Sequence, residues 1–176
     1  MWNRLRDGGL ILYFRHPDTD KSAGDTDVEH PLNFAAQRQL SDLGRSQART
    51  IGGALREHAV PIDRVYCTEY QRGFEAASLM DVGEPERLEC LTSLYKLPGA
   101  VVAARVQAVR VFLSRVPPEG SNILVVSHGP NLEEAMGGKM PELPEGAAAI
   151  LRPNGDTFEV LQILTPEQWA QEPEMR

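Results

Sequence analysis

Apolar residues fall along this chain in two kinds of pattern, and the alternation between them sketches the fold. Leu10 to Phe14, entered from Gly8-Gly9, and Asn122 to Ser127, entered from Pro117-Pro118-Glu119-Gly120, are near-continuous apolar runs of the kind a strand buried on both faces requires. Between them the apolar positions spread to helical spacing. Ser41 is placed to N-cap a helix that carries Leu43, Ala48, Ile51 and Leu55 along one face, closes near His58 and is barred from continuing by Pro61. Arg64 to Thr68 reads as a short strand, and Tyr70 to Met80 as a helix with Phe74, Ala77 and Leu79 on its apolar side and Arg72 in its first turn. From Asp81 to Gly99 the punctuation by Gly83, Pro85 and Pro98 predicts loop with a brief strand about Leu88, before a helix over Val101 to Val116. After the second apolar run, Pro130 takes the first position of a short helix, with Glu133 and Glu134 in its first turn and Gly137-Gly138 at its end. Ala147 to Leu151 and Thr157 to Leu164 flank Asn154-Gly155-Asp156 and read as a closing hairpin.

Strands that alternate with helices imply an α/β fold, here a three-layer α/β/α sandwich with a mostly parallel central sheet. With 176 residues, 41% of them hydrophobic, the chain can build one substantial core and is expected to form a single domain over 1–176. A formal charge of −7, with no dense Lys/Arg cluster, argues against nucleic acid or an anionic membrane surface as partner. No apolar stretch approaches the roughly 20 residues of a membrane span, and Met1 to Gly9 lacks the apolar centre of a signal peptide. The expectation is a soluble, cytoplasmic protein, although a mature domain stripped of a leader would look the same. Cys67 and Cys90 fit neither a disulfide framework nor a zinc spacing and are read as reduced, buried thiols.

Chemistry gathers where the two apolar runs stop. Tyr13-Phe14-Arg15-His16-Pro17 and Val125-Val126-Ser127-His128-Gly129 each deliver a histidine to a strand exit, the edge at which ligands bind in an open α/β sheet. If these strands are parallel neighbours, Arg15, His16 and His128 meet at one point, and two imidazoles beside a fixed cation suit a phosphate. Residues 17–39, with Asp18, Asp20, Asp25, Asp27 and Glu29, form a long polar loop beside that point. His30, in this loop, and His58, at a helix end, are given structural places.

These motifs resemble the histidine phosphatase superfamily, which includes the cofactor-dependent phosphoglycerate mutases and the small bacterial phosphohistidine phosphatases. Arg15-His16 with Thr19 is similar to the R-H-G-x-T opening; Leu40-Ser41, Gly44, Gln47 and Ala48 to L-S/T-x-x-G-x-x-Q-A; Cys67 to Arg72 with Glu75 and Ala77 to S-S-P-L-x-R-A-x-x-T-A; and Ser127-His128-Gly129 to S/T-H-G. The resemblance implies a phosphoglycerate mutase-like fold and a metal-independent phosphatase without a cofactor, acting on a phosphorylated small molecule or protein. In it His16 attacks phosphorus and forms a phosphohistidine, Arg15 and Arg72 clamp the phosphate oxygens, and His128 stabilises the transferring group; Thr19 and Gly129 belong to the same phosphate pocket.

Several positions depart from that pattern. Pro17 stands where the family has glycine and Pro130 follows Gly129, and each removes a backbone N–H. Thr68-Glu69-Tyr70 replaces the S-P-L segment and brings a carboxylate toward the phosphate. The glutamate that serves many members as general acid lies beyond the arginine matched by Arg72; here Asp81, Glu84, Glu86 and Glu89 occupy that segment, and Glu89 is taken as the candidate. Other readings are a mutase-type phosphotransferase and a catalytically weak phosphate-binding relative. A cysteine phosphatase built on Cys67 and Arg72 has the wrong spacing, and a metal hydrolase lacks a ligand motif.

Overall fold

In a computed structural model that describes residues 1–169, the chain runs α1 (Trp2–Asp7), β1 (Ile11–Arg15), α2 (Asp42–Glu57), β2 (Ile62–Cys67), α3 (Gln71–Met80), β3 (Pro85–Arg87), α4 (Gly99–Leu113), β4 (Asn122–Ser127), α5 (Gly129–Ala135), β5 (Ala148–Pro153), β6 (Phe158–Leu164) and α6 (Pro166–Trp169). The sheet order is β3-β2-β4-β1-β5-β6, with the first four strands parallel and the last two antiparallel. Apolar side chains of β1 alternate between two cores, which is why the run is unbroken. Leu12 and Phe14 join Val65, Cys67, Leu124 and Val126 under α2 and α3, whereas Ile11 and Tyr13 join Val125 and Leu151 under α4 and α5. Burying each such Leu, Ile or Phe stabilises the fold by about 1.5–3 kcal/mol. The three-layer α/β/α architecture follows from these two cores.

Local differences from the expected elements have local causes. Ser41 does cap α2, its hydroxyl accepting from Gly44 N at 3.0 Å, but Leu43 is 59% exposed. The inward face begins one residue later, at Gly44, because a Cβ there would stand 2.0 Å from the Asp18 carbonyl oxygen; Ala48, Ile51 and Leu55 continue that face and are buried. In α3, Ala77 is buried with Ala76 and Met80, while Phe74 and Leu79 only flank the core. The strand expected about Leu88 is β3 instead, where Pro85 can open an edge strand that needs no N–H from it. Helix α4 starts at Gly99 and stops at Leu113, where Ser114 turns its N–H and hydroxyl back to the Arg110 carbonyl and leaves Val116 outside. Because α5 begins at Gly129, its first turn holds no acidic residue, and Glu133 accepts instead from Leu143 N at 2.9 Å. The hairpin forms as expected, with Asn154 Oδ1 accepting from the N–H groups of Asp156 and Thr157. His58 ends α2 and stacks on Trp2, ring centroids 3.8 Å apart. No described helix is long and apolar enough to cross a membrane.

One feature of the topology places the site. Strand β1 feeds α2 on one face of the sheet, and its neighbour β4 feeds α5 on the other, so the connections diverge and leave a crevice at the strands' carboxyl ends.

Candidate active site

Arg15 pairs in register with Ser127, so the next residue of each strand, His16 and His128, emerges into that crevice side by side. Their rings meet edge to face with centroids 5.3 Å apart. His16 N–H donates to the Ser127 carbonyl at 2.9 Å, and the Tyr13 hydroxyl to the His128 carbonyl at 2.8 Å, which ties the two exits together. Both histidines are buried.

The His16 ring has a determined tautomer. Its Nδ1 lies 2.9 Å from the Pro17 carbonyl oxygen, which can only accept, so Nδ1 carries the proton and Nε2 keeps its lone pair. Proline at 17 gives up an N–H yet still supplies the carbonyl that orients the nucleophile. Burial, and after it the positive charge of Arg72, holds the His16 pKa well below the ordinary imidazole range; Arg15 and Arg38 push the same way and the Pro17 hydrogen bond opposes them. His128 is lowered likewise, by burial first and then by Arg72 and its neighbours. Its Nε2 shares a 3.0 Å hydrogen bond with the Thr68 hydroxyl, and its ring lies edge-on to Tyr70, whose face in turn carries the Arg72 guanidinium 4.5 Å from the centroid.

A cavity of about 550 Å³ opens onto these groups, lined by Arg15, His16, Lys21, Asp25, Arg38, Arg72, His128 and Gly129 together with Ser93 and Tyr95. The structure thus brings together His16, Arg15, Arg72, His128 and Gly129 from the expected set. It adds cations that the motifs did not single out, Arg38 and Lys21, both from the long polar loop. The Nε atoms of Arg15, Arg38 and Arg72 are buried with no hydrogen-bond partner, and buried donors of this kind ask for an acceptor. Arg72 is 3% exposed and directs Nη1 and Nη2 to the two carboxylate oxygens of Asp25 at 2.9 and 3.1 Å.

Two expected residues are placed elsewhere. Glu89 is 82% exposed, faces Arg105 at 3.6 Å and does not line the cavity, because the turn Glu89–Leu91 points its side chain along α4. Thr19 is buried behind the cavity wall, where its hydroxyl donates to Glu145 Oε1 at 3.2 Å. Glu69 likewise lies outside the cavity lining, accepting from the Thr92 hydroxyl at 3.0 Å. Of the segment beyond Arg72, the cavity wall takes Ser93 and Tyr95, neither a carboxylic acid. Among the described residues, Asp25 is the one carboxylate in that lining. The acidic loop was visible in sequence, but which of its carboxylates faces inward was not.

Neither thiol belongs to the site. Cys67 is buried in the core and its pKa is pushed up to about 12 by burial, while Cys90 is half-buried.

No protein-family model matches the chain, and no curated protein matches it. Solved structures do. An Escherichia coli K-12 protein described as an alpha-ribazole-5'-P phosphatase is 17% identical and superposes with a TM-score of 0.68, over 90% of this chain and 98% of that one. The protein histidine phosphatase SixA, solved with tungstate, is 21% identical with a TM-score of 0.63, over 89% and 97% of the two chains. The alpha-ribazole phosphatase of Shigella flexneri is 18% identical with a TM-score of 0.62, over 89% and 96%. The chain shares its phosphoglycerate mutase-like fold with these solved structures.

Proposed function

We propose that this protein is a metal-independent phosphatase that hydrolyses phosphomonoesters or phosphohistidine through a phosphohistidine on His16. The observation that carries the reading is the unprotonated Nε2 of His16, fixed by the Pro17 carbonyl and set in a cavity whose arginines keep buried, unpartnered donors. The fold shared with phosphohistidine and alpha-ribazole phosphatases supports it.

In the first step the Nε2 lone pair forms a bond to phosphorus while the bond to the leaving atom breaks, its electron pair departing with the leaving group. Arg15, Arg38 and Arg72 meet the equatorial oxygens, and His128 stabilises the charge that develops there. Asp25 is the carboxyl placed to protonate the leaving atom. It shares Arg72 with the incoming phosphate, so its carboxyl lies at the edge of the phosphate site. Water then attacks phosphorus and returns a proton to the Asp25 carboxylate, the P–N bond breaks, its electrons return to Nε2, and inorganic phosphate leaves.

The test is turnover of p-nitrophenyl phosphate in EDTA, with alkaline quench and a search for acid-labile phosphoprotein. Turnover survives chelation and the Cys67→Ser change, and falls by about 10⁴-fold or more in His16→Ala. Activity retained in His16→Ala overturns the proposal.

A further inference from the structure

Glu145 meets three of the site's cations, yet it does not line the cavity. Its carboxylate lies 3.8 Å from Arg15 Nη2, 3.4 Å from Arg38 Nη2 and 3.4 Å from Lys21 Nζ, and it accepts from the Thr19 hydroxyl at 3.2 Å. Arg15, Arg38 and Lys21 all line the cavity, and Glu145 is absent from its walls. The carboxylate therefore stands behind the cations, on the side away from the place where a phosphate would sit. Asp25 has the opposite relation to Arg72, since it lines the cavity itself.

The backbone around Glu145 is held rigidly enough to serve as a reference point. Gly146 N–H donates to the His16 carbonyl at 3.0 Å, and Arg15 N–H to the Ala147 carbonyl at 3.0 Å, so the residue is laced to the strand that carries the nucleophile. Gly146 has φ +78°, and a Cβ there would press on Pro166 at 2.8 Å, so this approach requires glycine. On its other side Leu143 is fully buried and its N–H is taken by Glu133, while the Leu143 carbonyl accepts from Arg15 Nη1 at 2.7 Å. Of the cations it collects, Arg15 is carried by β1, whereas Lys21 and Arg38 belong to the long loop and Lys21, which also pairs with Asp18 at 3.0 Å, is 65% exposed.

From this we propose that Glu145 is the positioning residue of the anion cradle, holding Arg15, Arg38 and Lys21 from behind so that their free donors converge on the phosphate. The inference rests on the phosphatase reading and adds a specific sign to it. A carboxylate that merely competed with phosphate would, once neutralised, let the anion bind more tightly. A carboxylate that positions the cations would, once neutralised, loosen the cradle, because long basic side chains lose their shared geometry.

The experiment is titration of the full chain with inorganic phosphate, followed by ³¹P NMR and by inhibition of p-nitrophenyl phosphate turnover. Glu145→Gln weakens phosphate binding about tenfold, and in a Lys21→Ala, Arg38→Ala background the same change costs less than about twofold, because of its three cations only Arg15 remains and that one is also held by the Leu143 carbonyl. Thr19→Val, which removes only the hydroxyl that orients Glu145, weakens binding about threefold and reads the same relation if Glu145→Gln fails to fold. Tighter binding in Glu145→Gln or Thr19→Val, or an undiminished cost in the background lacking both cations, overturns the positioning role. Wild-type protein that neither binds phosphate nor turns over the ester overturns the phosphatase reading, and the positioning role with it.

Discussion

The candidate site has two halves that differ in how they are held. His16, Arg15 and His128 leave adjacent central strands, and Arg72 sits in the first turn of a packed helix; these positions are set by the register of β1 on β4 and by the apolar cores on both faces. Lys21, Asp25 and Arg38 come from a loop and are set by ion pairs and backbone hydrogen bonds, Asp25 Oδ1 accepting from both Arg72 and Arg38 N–H, and Glu145 collecting the cations from behind. Strand placement gives precision that no single polar contact controls. Loop placement makes each charge dependent on its partner, so single substitutions in this half should change binding and leaving-group dependence rather than abolish chemistry.

The loss expected in His16→Ala is the largest test of the strand-borne half. Next in size, Asp25→Asn tests the loop-borne half: turnover of an alkyl phosphate falls about 10²-fold while p-nitrophenyl phosphate, whose leaving group needs little protonation, is nearly unaffected. Removing this carboxylate also frees Arg72, so inorganic phosphate binds at least as tightly as to wild type, the opposite sign to Glu145→Gln. Equal loss on both esters would remove Asp25 from proton transfer.

A smaller effect concerns pH. His16 and His128 have folded pKa values well below 6.5, so both remain neutral as pH falls through that value. An ordinary imidazole nucleophile would lose about tenfold in kcat/KM one unit below its pKa; here kcat/KM changes less than about twofold between pH 7 and 5.5 if no other group titrates. Stability moves the other way. The unfolded chain takes up protons on these rings below about pH 6.5 while the folded chain does not, so the melting temperature falls as pH is lowered, and a melt series that rises instead contradicts the neutral pair. The smallest effect is expected outside both halves: Glu89→Gln, exposed beside Arg105, leaves the pH–rate profile and turnover within about twofold of wild type.

Legibility followed the same division. The strand exits could be read because a buried central strand must be apolar on both faces, so Leu10 to Phe14 and Asn122 to Ser127 marked their own ends. The Gly44 approach to Asp18 is implicit in the L-S-x-x-G motif, although only the structure says what the missing Cβ avoids. Glu89 was drawn from a row of carboxylates that sequence spacing could not rank, and Thr19 was matched to a motif whose hydroxyl here turns to Glu145 rather than to the cavity.

By itself the sequence determined the layered α/β arrangement, the two histidine exits and the Arg15, His16, Arg72 and His128 constellation, since each rests on short-range periodicity or on local motifs. Tertiary structure alone decided which loop charges face the cavity and which stand behind it. Asp25 and Glu145 are chemically alike and both lie in polar segments. One lines the cavity and the other braces its cations only because distant pieces of backbone, residues 17–39 and 142–147, close against the same strand exit.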